Sequence, residues 1–76
     1  MIKIDGKLCM WTVYEHPADS PNRYVARLFV LDEPSGAVLV AATLEDLRRF
    51  IERVSPGLIC IPRQPGDEPH IVEVWL

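Results

Sequence analysis

Two long runs of strand-forming residues, KLCMWTVYE (7–15) and RYVARLFVLD (23–32), are separated by only seven residues, HPADSPN. Both runs are rich in bulky and β-branched side chains, and Pro17 cuts the first one off. Parallel pairing would need a crossover of a dozen residues or more, so the two strands must run antiparallel. EPSG (33–36) reads as a Pro-Gly turn that sends the chain back through a third, short strand, AVLVAA (37–42). A three-stranded meander follows from connection length alone.

The period then changes. In TLEDLRRFIERVSPG (43–57), Leu44, Leu47, Phe50, Ile51 and Val54 recur at spacings of three and four, which predicts one amphipathic helix. Thr43 is placed as its N-cap, with Asp46 three residues on as a short capping-box partner. Glu45 and Asp46 suit the positive end, and Arg48, Arg49 and Arg53 follow toward the negative end, with Glu45–Arg49 a favourable i,i+4 pair. These charges read as a solvated face. Ser55-Pro56-Gly57 stops the helix. LICI (58–61) is a fourth strand, PRQPGDEP (62–69) a loop and HIVEVWL (70–76) a fifth strand.

The predicted order is βββαββ: an α+β fold with a mainly antiparallel, five-stranded sheet and one helix packed on one face. Seventy-six residues leave room for a single domain, 1–76. Chain direction places the 16–22 loop, the helix N-terminus and the 62–69 loop on one rim of the sheet. Lateral order 3-2-1-5-4 or 3-2-1-4-5 makes the first strand central. Its two faces are both apolar, as a central strand requires, with Leu8, Met10 and Tyr14 alternating against Cys9, Trp11 and Val13.

One helix covers one face. Arg27 and Phe29 on the second strand, and Glu73 and Trp75 on the fifth, mix charge with bulk, and together with Trp11 and Val13 they are assigned to the open face. Such a face is more apolar surface than a small monomer normally exposes. Trp and Arg are also the residue types enriched where proteins bind proteins.

The rim offers His16, Asp19, Asp67, Glu68 and His70 as a second candidate patch. A Ser-His-Asp triad from His16, Asp19 and Ser20 would need the imidazole between the other two side chains, a geometry one tight loop rarely provides. No G-x-S-x-G elbow accompanies it. Asp19, Ser20 and Asn22 are instead turn formers, stiffened by Pro17 and Pro21. A rim metal site or metal-assisted enzyme is an alternative, but no ligand pair has motif-like spacing. No metal and no cofactor are therefore assigned.

The net charge of −3 is spread without a basic stripe, which argues against a phosphate backbone as partner. Aromatic stacking of single-stranded nucleic acid on the open face is a further alternative, but the order and signature of the RNA-recognition motif are missing. Cys9 and Cys60 lie in apolar runs without a CxxC pattern and read as small buried hydrophobes of a reducing compartment. No stretch has signal-peptide character or approaches the roughly 20 apolar residues of a membrane span, so a cytoplasmic location is expected.

The run WTVYEHPADSPNRYVARLF, with the ending IVEVWL, resembles a group of small proteins of proteobacteria and their mobile elements. These pair a W-T-x-Y-x-H-P-x-D-x-P opening with a V-E-x-W close. The resemblance covers most of the chain and implies no activity, cofactor or site residue. At the level of class alone, short acidic β-rich proteins without catalytic motifs also resemble phage-encoded inhibitors of bacterial defence, such as the anti-CRISPR proteins. The expectation is a non-enzymatic module that binds another protein through the open face or the rim, with a homodimer through the open face as a further outcome.

Overall fold

The structure is a computed structural model; it describes the backbone of residues 2–4 and residues 6–76. The elements are β1 (Ile2–Ile4), β2 (Lys7–Glu15), β3 (Tyr24–Val30), β4 (Glu33–Ala41), α1 (Leu44–Val54), β5 (Cys60–Pro62) and β6 (Ile71–Trp75). They form one antiparallel sheet in the order β4-β3-β2-β6-β5, with β1 paired to β2 as well. The α+β class, the βββαββ core and the first of the two expected lateral orders hold. β2 is central, and α1 packs across one face.

Two details of the strand layout differ from expectation. A sixth strand, β1, pairs Ile4 with Lys7 and Ile2 with Cys9. Its signal in the sequence is the Asp-Gly dipeptide at 5–6, a strong hairpin mark between strand-like flanks. The second difference is the turn after β3, which is Leu31-Asp32 rather than EPSG. Pro34 sits inside β4, which is tolerable because β4 is an edge strand. Gly36, at φ 89°, takes up the register irregularity of that strand.

The helix begins as its sequence dictates. Thr43 is in extended conformation, and its Oγ1 accepts the Asp46 N–H at 3.1 Å. Arg49 donates to Glu45 at 2.8 Å. At the other end the Ser55 N–H donates to the Ile51 carbonyl and closes the last turn. Of the apolar stripe, Leu47 and Ile51 are fully buried, whereas Phe50 and Val54 remain exposed on one flank.

Cys9, Trp11, Val13, Ala26, Leu28, Ala41, Leu47, Ile51 and Trp75 make the core, between helix and sheet. This corrects the assignment of faces. Trp11, Val13, Glu73 and Trp75, expected on the open face, lie on the helix face and are all buried. The cross-strand register shows why they travel together: Trp11 stands opposite both Leu28 and Trp75, and Val13 opposite Ala26 and Glu73. Arg27 and Phe29 remain on the open face as expected.

Polar chemistry decides the matter. Each indole N–H finds an acceptor without leaving the core: Trp11 donates to Ser55 Oγ at 3.1 Å and Trp75 to Glu73 Oε2 at 2.7 Å. Glu73, only 3% exposed, receives a two-pronged bond from Arg48 of α1 at 3.0 and 2.6 Å. Arg48 is thus a clamp between helix and sheet rather than part of a solvated face. Burial by itself would push the Glu73 carboxyl up. The Arg48 hydrogen bonds, the Trp75 N–H, the charge of Arg48 and the adjoining Cys60 outweigh burial and hold it below the usual carboxylate range.

Both cysteines are free thiols; Cys9 is buried as expected, but Cys60, on the short strand β5, is exposed. Partial burial, followed by the charge of Glu73, pushes its thiol up, which makes it a poor nucleophile. No helix among the described residues is long and apolar enough to cross a membrane.

Candidate protein-binding face and rim groove

The face away from α1 is built from residues that alternate with the core set. Its rows follow from register: Met10 beside Phe29 and Pro34, Thr12 beside Arg27 and Val38, Tyr14 beside Val25 and Val40. On the other side of β2, Thr12 adjoins Val74, which adjoins Ile61. Thr12 and Val25 are buried in mid-row. Around them Met10, Tyr14 and Phe29 are half-buried, while Leu8, Val38 and Val40 are exposed, the last two at 50% and 46%.

Among the described side chains, Arg27 is the single charged one in these rows. Its guanidinium carbon lies 4.9 Å from the centre of the Tyr14 ring, and its Nη2 donates to Asp19 at 2.7 Å. The cation thereby ties the sheet face to the rim loop. Stacking on Tyr14 also covers part of the face with the flat of the guanidinium.

The rim forms as chain direction requires. The Glu15 N–H donates to the His70 carbonyl at 2.7 Å, and His70 Nδ1 lies 3.0 Å from the Glu15 carbonyl oxygen. Tyr14, Pro17, Ala18, Asp19, Arg27, Glu68 and His70 then line an open groove of about 450 Å³. Of the expected rim residues, Asp19, Glu68 and His70 come together here, joined by Arg27.

His16 and Asp67 do not join the groove. His16 packs edge-on against Tyr24 with centroids 5.3 Å apart, and its backbone takes the left-handed conformation at φ 47°. Asp67 is spent on its own loop, where Oδ2 accepts the Gln64 N–H at 2.9 Å. This is turn chemistry.

These positions bear on each alternative. Asp19 is engaged by Arg27 and His16 by Tyr24, so HPADSPN assembles no relay toward Ser20. No three His, Cys, Asp or Glu side chains among the described residues converge as a metal ion would require. Both Trp rings point into the core, so the stacking platform considered for nucleic acid shrinks to Phe29 and Tyr14, and Arg27 already stacks on the latter.

What the sequence reading missed is that Met10, Tyr14, Val38 and Val40 make up the open face. Alternation was visible on every strand, but the two sets on β2 are both apolar, so alternation alone could not say which set meets the helix. No family model, curated protein or solved structure matches the chain, and the geometry of this face and groove is the basis for its functional reading.

Proposed function

We propose that this protein is a non-enzymatic binding module that recognises another protein through the open sheet face and the adjoining rim groove. The observation that carries the reading is the uncovered face itself. Six apolar side chains, Leu8, Met10, Tyr14, Phe29, Val38 and Val40, are wholly or partly exposed around Arg27. A contiguous apolar patch ringed by polar groups is characteristic of interaction surfaces. Tyr14, stacked by Arg27, supplies the residue types that dominate binding energy at such surfaces. Asp19, Glu68 and His70 give the patch a polar border able to fix orientation.

Binding of this kind acts by occupying a partner's surface. The class resemblance to small phage-encoded inhibitors supports a component of a bacterial defence complex as the partner, in the reducing interior of the cell. A homodimer through the same face is the second reading.

Site-specific photo-crosslinking in cells separates these outcomes. A photoreactive phenylalanine in place of Phe29 or Tyr14 is expected to give a discrete adduct with one heterologous protein, while the same group in place of Glu52, on the exposed side of the helix, gives none. An adduct of the chain with itself supports the second reading. Equal labelling from all three positions removes the face as a binding site.

A further inference from the structure

β4 ends the sheet on its side, and its outer edge pairs with no strand among the described residues. In an antiparallel ladder every second residue turns its N–H and C=O away from its neighbour, so this edge presents a row of unpaired donors and acceptors. Edges are normally blunted by charge, proline or a bulge. The first half of β4 has all three, in Glu33, Pro34 and the irregular register at Gly36. The second half, Ala37-Val38-Leu39-Val40-Ala41, has none.

The helix adds apolar surface above the same edge. Arg48 reaches inward to Glu73 on β6, so the opposite flank of α1 faces β4. Helical spacing sets Phe50 and Val54, 38% and 54% exposed, on that flank. Apolar surface therefore runs from Val38 and Val40 on the open face, around the free edge, to Phe50 and Val54.

We infer that this edge binds a second copy of the chain, by antiparallel β4–β4 pairing about a two-fold axis through Leu39, with the two α1 helices antiparallel above it. Such an axis sets Val38 against the partner's Val40 and Ala37 against the partner's Ala41. No residue from Pro34 to Leu44 is charged, so no like charges meet. The helices share the axis. Leu39 lies two residues, about 7 Å, below the end of β4. Phe50 lies six residues, about 9 Å, into α1. Only Ala42 and Thr43 separate strand from helix, so Phe50 comes level with Leu39 and meets the partner's Phe50.

Charge agrees with this arrangement. Asp46, whose carboxylate lies 3.5 Å from Arg49 of the same helix, stands in the first turn of α1 and Arg53 in the last, and helical spacing sets both toward the outer side of the Phe50 flank. Arg53 has no ion-pair partner among the described residues. Antiparallel helices bring the Asp46 end of each copy to the Arg53 end of the other. An isologous contact of this kind closes after two copies and leaves no free β4 edge. The pairing takes up Val38 and Val40 at the margin of the face proposed above for heterologous binding, while Met10, Tyr14, Phe29 and the rim groove stay open on both copies.

Sedimentation velocity on the intact protein, read against the monomer mass of 8.6 kDa, tests the pairing. A species of twice that mass is expected, and a monomer at every concentration up to about 1 mM, the weak end of specific association, overturns the inference. Two double variants test the register. Val38→Glu/Val40→Glu places like charges across the axis and is expected to weaken the dimer at least about tenfold relative to Val38→Glu/Val40→Lys, in which opposite charges meet. Equal dimerisation of the two variants overturns the axis.

Amide exchange of the unmodified protein needs no variant to fold. Protection at residues 37–41 is expected to rise with protein concentration. Protection independent of concentration in a dimeric sample places the contact elsewhere and overturns the inference.

Discussion

On the helix side of the sheet, the side chains of β2, β3 and β6 are sealed beneath α1, although two are indoles and one is a carboxylate. On the other side lie Met10, Tyr14, Arg27, Phe29, Val38 and Val40, all of them wholly or partly exposed. Hydrophobicity alone does not choose between the two layers, because both carry bulky apolar side chains. The helix face wins because its polar atoms are all satisfied within the layer: Ser55 takes one indole, Glu73 the other, and Arg48 neutralises Glu73. A buried carboxylate with a partner on the opposing element demands one docking position for the helix, whereas apolar contact alone demands none.

The comparison is broken most directly by removing bulk from each face. Trp11→Ala deletes a buried indole and its bond to Ser55, and is expected to lower unfolding stability by about 4 kcal/mol. Phe29→Ala, on the open face and already partly solvated, should lose about 1 kcal/mol. Urea titration of both variants provides the check. Equal losses would mean that the open face is covered in solution, as a stable interface would cover it.

The two ion pairs make a second contrast. Arg48→Ala leaves Glu73 buried without its cation and is expected to lose about 3 kcal/mol. Arg27→Ala breaks a pair with an exposed Asp19 and should lose less than about 1 kcal/mol. A loss from Arg27→Ala as large as that from Arg48→Ala would show that its stacking on Tyr14 organises the open face.

Acid tests the buried pair directly. The folded-state carboxyl of Glu73 lies below its unfolded value, so its contribution is complete above the unfolded range near pH 4.3 and is lost as pH falls through that value toward the folded one. Arg48→Ala removes the main force holding that value down and leaves burial to raise it. The stability gap between the parent protein and Arg48→Ala is therefore expected to narrow steadily as pH is lowered from about 5. Urea midpoints measured at several pH values read the gap directly, and a gap that stays constant would remove Glu73 from the account.

Much of this fold was legible because local rules and connection lengths agreed. HPADSPN is too short for anything but an antiparallel return, Thr43 caps the helix it precedes, and the rim follows from counting strand directions. The open face was only half legible. Trp11 with Trp75 and Val13 with Glu73 were correctly grouped on one face, since alternation carries that much. Which face received the helix depended on a long-range pair, Arg48 with Glu73, 25 residues apart, and no local pattern announces it. For the same reason Arg48 resembled its solvated neighbours Arg49 and Arg53 in the sequence. The Leu31-Asp32 turn was hidden by the stronger turn signal of Pro34-Ser35-Gly36, which the chain uses for a register irregularity instead.

That turn supplies the smallest effect and a test of how far the open side tolerates imperfection. Leu31 links β3 to β4 with φ 57°, a conformation that places a leucine Cβ against its own backbone, and its side chain is 55% exposed. The left-handed region carries a penalty of about 1–2 kcal/mol for such a residue. Leu31→Gly relieves it but adds unfolded-state entropy worth about 0.5–1 kcal/mol, leaving a net gain of roughly 0.5–1 kcal/mol. A small rise in the urea midpoint is the expected outcome. If stability falls instead, the covered part of the Leu31 side chain contributes more to the β3–β4 turn than its backbone strain costs.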